Sequence, residues 1–204
     1  MSSMKQNKRP NVRILISVVL VIAAIGVWTK FLSADQTPTA SENSKALIGG
    51  EFTLTNHLNE TVTDKDFIGK YMLVYFGYTF CPDVCPMDLQ IMADAVNYLS
   101  AEDANKINMV FVTVDPERDT TQVMAEYVTF FHKDLIGLTG TLEQIDTIKK
   151  AYRIYAAKAD DSPDYLVDHT AYTYLMDKDG SLLKHFNHGE DPEKMAQLIT
   201  SLIK

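Results

Sequence analysis

The chain has 204 residues, with 27 acidic side chains against 19 basic ones and a formal net charge of −8. The first 34 residues hold five of the basic residues and no acidic one, so the remainder has 14 basic against 27 acidic residues, a formal charge of −13. An acidic chain of this kind is repelled by a phosphate backbone, which argues against nucleic acid as a partner.

The N-terminal part of the sequence predicts a membrane anchor. Residues 14–32 are almost entirely apolar, and a helix of this length spans about 28 Å, enough to cross a hydrocarbon core. The basic residues in 1–13 predict a cytoplasmic N-terminus and an extracytoplasmic remainder, periplasmic or equivalent. A cleaved signal peptide is the alternative. Residues 33–45 lack large apolar side chains and predict a flexible linker, which leaves residues 46–204 as one folded domain.

The sequence of residues 46–204 predicts alternating strands and helices. The nearly continuous apolar run 72–78 is typical of a central strand covered on both faces. A tight turn follows, and then an amphipathic helix whose first position suits Pro86. We therefore expect an α/β fold in which helices flank both faces of a central mixed sheet. The other predicted elements, in chain order, are strands at 52–54 and 61–63, a helical turn at 64–67, a strand at 107–114, a helix at 120–131, a strand at 136–138, a helix at 142–152, a strand at 154–157, a hairpin of strands 170–176 and 182–186, and a helix at 192–203.

The only two cysteines lie between the central strand and the helix, in the motif Cys81-Pro82-Asp83-Val84-Cys85-Pro86. Cys85 is expected at or next to the N-cap, where the helix dipole and backbone N–H groups lower the pKa of a thiol. A structural disulfide would close so short a loop that it would contribute little stability. Two thiolates cannot complete a closed zinc site, whereas Cu(I) is satisfied by two or three soft ligands, and an added imidazole also suits Cu(II). The motif predicts a redox pair or a copper site.

Five histidines are candidates for a third ligand. We expect His57, in a polar turn, and His132, at a helix end, to be solvated surface residues. His185 and His188 have the spacing of a weak accessory metal site. His169 stands at the start of an apolar strand that could lie beside the strand leading to the cysteines. From the residues alone, a ligand role and an ordinary hydrogen-bonding role both stay open for His169.

Several further motifs run in order through the folded part. They are GGEFTL at 49–54, GKYMLVYFGYT at 69–79, CPDVCP at 81–86, VDPERDT at 114–120 and YLVDHT at 165–170. With these motifs the chain resembles the SCO/SenC family of membrane-anchored copper proteins that assist assembly of cytochrome c oxidase. The resemblance covers essentially the whole folded part and implies a single thioredoxin-like domain.

The resemblance also implies a set of site residues. One copper ion per chain, Cu(I) or Cu(II), would be held by Cys81, Cys85 and His169. Asp115 and Asp168 would orient ligands or face a partner, although the Asp-Pro pair at Asp115 could equally serve only to build a turn. The implied function is that of a metallochaperone rather than an enzyme. Its receiver would be the copper-centre subunit of cytochrome c oxidase, and its upstream copper donor is one that the sequence does not name.

Phe80 departs from the family, in which histidine often precedes the first cysteine, and it makes the edge of the site more apolar.

Two other functions stay open. One is an extracytoplasmic thiol-disulfide reductase that prepares the oxidase cysteines, with Cys81 attacking and Cys85 resolving the mixed disulfide. The other is a copper or redox sensor. Three residues between the cysteines, and the lack of a proline in 168–170, argue against a reductase. A peroxidase is disfavoured because Tyr78 stands where peroxiredoxins have threonine or serine.

Overall fold

The structure is a computed structural model that describes residues 48–203, within the compact unit Ala46–Lys204. No helix in this range is long and apolar enough to cross a bilayer. The predicted anchor at 14–32 and the segments 1–13 and 33–45 lie outside the described residues. The division of the chain into these segments therefore stays a prediction.

Nine strands lie within residues 48–203: β1 (Thr53–Asn56), β2 (Thr61–Thr63), β3 (Tyr71–Gly77), β4 (Ile107–Thr113), β5 (Leu135–Thr139), β6 (Ala156–Lys158), β7 (Val167–His169), β8 (Tyr172–Met176) and β9 (Leu182–Asn187). Seven of them make a mixed sheet in the order β2-β1-β5-β4-β3-β8-β9, and β6 pairs with β7 in a separate two-stranded sheet. In the large sheet, β3, β4 and β5 are parallel and the other pairs are antiparallel.

Strand β3 is central and is buried at all seven positions. A strand with both faces covered needs apolar side chains on each face, so the continuous apolar run rather than an alternating pattern is what this position requires. The predicted central strand and the mixed α/β architecture are confirmed. The carboxyl end of β3 delivers the chain to the cysteine turn.

The helices of the described part are a 3-10 helix (Asp64–Phe67), α1 (Val84–Tyr98), α2 (Ala101–Ala104), α3 (Thr121–Thr129), α4 (Leu142–Tyr152) and α5 (Pro192–Leu202). They pack around the large sheet, with α1 against α5 and α3 against β5. Side chains cap the N-termini of α2 to α5: for example, Thr120 accepts a hydrogen bond from the backbone N–H of Val123, and Asp191 accepts one from that of Lys194. Such caps satisfy N–H groups that the first turn leaves unpaired.

Two elements differ from the sequence prediction near the cysteines and His169. Helix α1 begins at Val84, so Pro86 is the third helical residue and not the first. The predicted strand 170–176 begins at Tyr172, and His169 instead ends the separate strand β7. The reason is tertiary: β7 pairs with β6, and the N–H of Thr170 donates to the carbonyl oxygen of Tyr155, which draws the chain away from β8.

Candidate metal centre

Three potential metal ligands converge at the carboxyl end of β3. Cys81 lies in the turn after β3, Cys85 in the first turn of α1, and His169 at the end of β7. Their ligand atoms, two sulfurs and one ring nitrogen, all lie within 4.8 Å of one another. Among residues 48–203 this is the only group of three such side chains close enough to hold a metal ion. The turn, the helix and the small sheet therefore meet at one point.

The orientation of His169 is fixed by contacts on each side of its ring. Its Nε2 lies 3.2 Å from Cys85 Sγ, and its Nδ1 lies 3.1 Å from the carbonyl oxygen of Thr170. A proton on Nδ1, donated to that carbonyl, leaves Nε2 as the lone-pair nitrogen that faces the sulfur. The rings of Tyr75 and Tyr78 stand nearly perpendicular to the imidazole, with centroids 6.2 and 5.8 Å away. These contacts hold the imidazole in an orientation suited to a metal ligand.

The two sulfurs are electrostatically unequal. The pKa of Cys81 is lowered, chiefly because the Cys85 thiol donates a hydrogen bond to it and also because of its interaction with His169. The backbone N–H of Cys85 also donates to Cys81 Sγ, at 3.4 Å. The pKa of Cys85 is raised, first by the hydrogen bond that its thiol donates to Cys81 and then by burial. Sequence analysis expected the helix N-terminus to lower the pKa of Cys85, but it is the sulfur of Cys81 that accepts the N–H at this helix end.

Gly77, the last residue of β3, lets α1 approach the strand closely. A Cβ atom at this position would lie 2.7 Å from Cys85 Sγ and 2.9 Å from Tyr75 Cε1. Both distances are far inside van der Waals contact, so any side chain here would displace the sulfur or the ring. The absence of a side chain at Gly77 is thus part of how the site is built.

A buried carboxylate holds the loop between β3 and Cys81. Asp119 accepts hydrogen bonds from the backbone N–H and the hydroxyl of Thr79, at 3.0 and 2.6 Å, and from the Thr113 hydroxyl at 2.5 Å. Its pKa is raised, chiefly by burial, although these hydrogen bonds partly oppose the rise. Asp119 thereby fixes Thr79, two residues before Cys81.

With this geometry in place, comparison with known proteins identifies the family. The SCO1/SenC family model matches residues 40–204. The chain belongs to the SCO1/SenC family. Its fold is thioredoxin-like, as the resemblance implied: the solved structure of Bradyrhizobium japonicum ScoI with copper bound matches with a TM-score of 0.71 and 42% identity, over 76% of this chain and 99% of that one.

Curated relatives agree with this assignment. The mitochondrial SCO1 homolog of Homo sapiens is 42% identical over 160 residues, which are 77% of this chain and 53% of the human protein. Protein SenC of Rhodobacter capsulatus is 45% identical over 158 residues, covering 77% of this chain and 71% of that protein. The chain thus spans about half the length of the human relative. Copper is bound in the ScoI structure, and the cluster of Cys81, Cys85 and His169 fits the same metal.

The two aspartates to which the SCO/SenC resemblance assigned supporting roles lie in different environments. Asp115 is buried and accepts hydrogen bonds from Arg118 Nε at 2.5 Å and from the Tyr165 hydroxyl at 2.7 Å. Both oxygens of its carboxylate thus accept hydrogen bonds from these two residues and not from the three candidate ligands. Asp168 is exposed on β7, between buried Val167 and half-buried His169. Its position suits the partner-facing role better than the ligand-orienting one.

Phe80, the residue that departs from the SCO/SenC resemblance, packs against the guanidinium group of Arg118. The guanidinium carbon of Arg118 lies 4.7 Å from the centroid of the Phe80 ring and 3.7 Å from that of Tyr165. Arg118 is therefore held between two aromatic faces, an arrangement that stabilises a planar cation. The Phe80 side chain remains half exposed beside Cys81. Sequence analysis anticipated the apolar edge but not the role of Arg118 beneath it.

The other four histidines make contacts of their own. None of them belongs to a three-ligand group within the described part of the chain. His188 Nδ1 lies 3.0 Å from the buried carboxylate of Asp88. The weak accessory site with His185 stays a prediction. The remaining contacts are these: His57 Nδ1 accepts from the N–H of Gly137, His132 Nδ1 accepts from the N–H of Asp134, and His185 packs on the ring of Tyr172.

Proposed function

We propose that the chain is a copper metallochaperone that holds one copper ion through Cys81, Cys85 and His169. The observation that carries this proposal is the convergence of two sulfurs and one imidazole nitrogen within 4.8 Å. Such a donor set satisfies Cu(I) and suits Cu(II), while a closed zinc site needs a fourth protein ligand. Both sulfurs must be reduced and deprotonated to bind the metal, so oxidation or acid should prevent loading.

The proposed receiver is the oxidase subunit that carries the binuclear copper centre. SCO proteins form a family of cytochrome c oxidase assembly proteins, which supports an oxidase partner. We further propose that residues 14–32 anchor the chain in a membrane, with the N-terminus cytoplasmic and the folded domain extracytoplasmic. The apolar run and its basic flank support this arrangement.

A thiol-disulfide reductase is the second candidate, and the lowered pKa of Cys81 favours it. Both cysteines are buried, but Cys81 keeps 7% of its surface accessible and Cys85 keeps none. Two features weigh against it. The segment 168–170 holds no proline, whereas thioredoxin-like reductases usually place a proline against the thiols. The cysteines are also separated by three residues rather than two.

Anaerobic titration of the reduced chain with Cu(I) tests the proposal. The wild type should bind one copper per chain, Cys85→Ser should lose sulfur ligation, and His169→Ala should bind at least about tenfold more weakly. His185→Ala is the matched control, because His185 is exposed and outside the cluster, and it should bind like the wild type.

The opposite pattern would favour the reductase. Weak copper binding that is indifferent to His169→Ala, together with rapid disulfide exchange with an oxidised peptide of the oxidase subunit, would overturn the metallochaperone proposal. A measurement of the exchange rate on the same preparations decides between the two.

A further inference from the structure

The hydroxyl of Tyr75 is a buried polar group without a hydrogen-bond partner in the described part of the chain. Tyr75 lies in the middle of β3 and is fully buried. Buried hydroxyls in native proteins nearly always have a partner, because an unpaired one has lost its hydration without compensation. An orphaned hydroxyl in a central strand therefore calls for a physical explanation.

Tyr75 forms one wall of the metal centre. Its ring edge faces the His169 imidazole, with centroids 6.2 Å apart and planes at 85°. The position of a Cβ on Gly77 would be within 3 Å of both Tyr75 Cε1 and Cys85 Sγ, which places the ring edge beside that sulfur. The hydroxyl at the end of this ring completes no hydrogen bond in the described part of the chain.

The Tyr75 hydroxyl can donate a hydrogen bond near neutral pH, because a phenol keeps its proton below a pKa of about 10. Copper is bound by the thiolate form of cysteine. When copper binds, the S–H bond of Cys85 breaks, an S–Cu bond forms and the proton leaves to solvent. The ligating sulfur then becomes a strong acceptor beside an unused donor.

We propose that the Tyr75 hydroxyl donates a hydrogen bond to the Cys85 sulfur in the copper-loaded chain and thereby tunes the affinity and reduction potential of the site. This inference rests on the copper site proposed above. Tyr75 is a positioning residue in this scheme, since it touches a ligand and not the metal. Hydrogen bonds to a ligating cysteine sulfur are a recognised means by which proteins tune copper sites.

The expected electronic effect has a definite sign. A hydrogen bond lowers the energy of the sulfur electrons, so its loss makes Cys85 a stronger donor to Cu(II). The sulfur-to-Cu(II) charge-transfer band should then move to longer wavelength, and the Cu(II)/Cu(I) potential should fall. The proton also competes better for Cys85 without this hydrogen bond, so the apparent Cu(I) affinity should fall about tenfold.

The test compares Tyr75→Phe with the matched control Tyr127→Phe in the full chain. The Tyr127 hydroxyl is also buried without a partner, and both rings pack on Phe111, with centroids 6.4 Å away for Tyr75 and 5.5 Å for Tyr127. Of these two tyrosines, only Tyr75 has a ring contact with His169. The measurements are Cu(I) affinity, the charge-transfer band, the reduction potential, and the melting temperature with and without copper.

Tyr75→Phe should melt no lower than the wild type without copper, because it removes an unpaired hydroxyl and leaves no large cavity. It should show the weaker affinity, longer wavelength and lower potential once loaded, and gain less melting temperature from copper. Tyr127→Phe should show none of the copper-dependent changes. If the two variants behave alike when loaded, the inference about Tyr75 is wrong while the copper site stands. If the wild type binds no copper, the proposed function fails and this inference fails with it.

Discussion

At the scale of single residues, the two sulfurs share one proton unequally. Cys81 has the lowered pKa because it receives hydrogen bonds, and Cys85 has the raised pKa because it donates one and is completely buried. The more accessible sulfur is thus the thiolate. This division suits a site that must admit a metal ion at an exposed edge and retain it at a buried one.

The inequality predicts the course of alkylation. Because the hydrogen bond from the Cys85 thiol lowers the pKa of Cys81 from 9.0 to about 3, Cys81 stays a thiolate as the pH falls from 9 through neutrality. In the reduced, metal-free chain, iodoacetamide should modify Cys81 first, at a rate that changes little over this range. Peptide mass spectrometry across the pH series checks this. Preferential labelling of Cys85, or a rate that falls tenfold per pH unit below pH 9, would contradict it.

Arg118 pairs with the buried carboxylate of Asp115. Replacing Arg118 by methionine keeps most of the stacking surface but leaves the buried Asp115 carboxylate with only the Tyr165 hydroxyl. Removing one partner of a buried ion pair typically costs about 3 kcal/mol, so the free energy of unfolding should fall by about this much. Urea unfolding measures it.

Lys133→Met is the control for Arg118→Met. The Lys133–Asp134 pair is exposed, with 83% and 65% of the two side chains accessible, so its loss should change the free energy of unfolding by less than about 1 kcal/mol. If the two variants lowered the free energy of unfolding equally, the buried Arg118–Asp115 pair would contribute no more to stability than the exposed pair.

At the scale of elements, the junction of β3 and α1 depends on a close approach. Gly77→Ala would place a methyl group 2.7 Å from Cys85 Sγ, so the first turn of α1 must move. Overpacking of this kind costs about 1 to 3 kcal/mol, and copper binding should weaken because the sulfur is displaced. Urea unfolding and Cu(I) titration report the two effects separately. Wild-type copper affinity in Gly77→Ala would mean that α1 can shift without disturbing the ligands.

The order of strands and helices was predictable because each has a strong local signal. The continuous apolar run of β3 and the apolar spacing of α1 identify a buried strand and an amphipathic helix without reference to any neighbour. Strand β7 has no such signal. It has three residues, and its position depends on pairing with β6 and on the N–H of Val167 donating to the Tyr78 hydroxyl. Tertiary contacts of this kind are absent from the local pattern.

The candidate site was predictable only in part for the same reason. The cysteine motif is local, so its chemistry could be read directly. His169 is separated from Cys85 by 84 residues. The residues alone left a ligand role for His169 open, and only the resemblance to SCO/SenC proteins assigned it. Arg118, Asp119 and Tyr75 could not be assigned at all. Their importance comes from an aromatic stack, a buried set of hydrogen bonds and an unpaired hydroxyl, which exist only once the chain has folded.

At the scale of the whole molecule, copper should stabilise the fold by mass action. At a free copper concentration about 1,000 times the dissociation constant, the gain is about 4 kcal/mol. For a domain of this size that corresponds to a rise in melting temperature of roughly 10 °C. Anaerobic calorimetry with a copper buffer measures it. The rise in melting temperature should be absent when the two cysteines are oxidised. A rise that survives oxidation would mean that copper binds at a site other than these cysteines.

The small sheet of β6 and β7 carries His169 but shares no strand with the large sheet that leads to the cysteines. Copper held between them would act as a cross-link across 84 residues of chain and restrict the motion of β6 and β7. Amide exchange in both strands should therefore slow on loading, and unchanged exchange would count against this coupling. Handing over the metal would return conformational freedom to the hairpin. Part of the free energy of transfer would then come from the entropy of the donor protein, and not only from the ligands of the receiver.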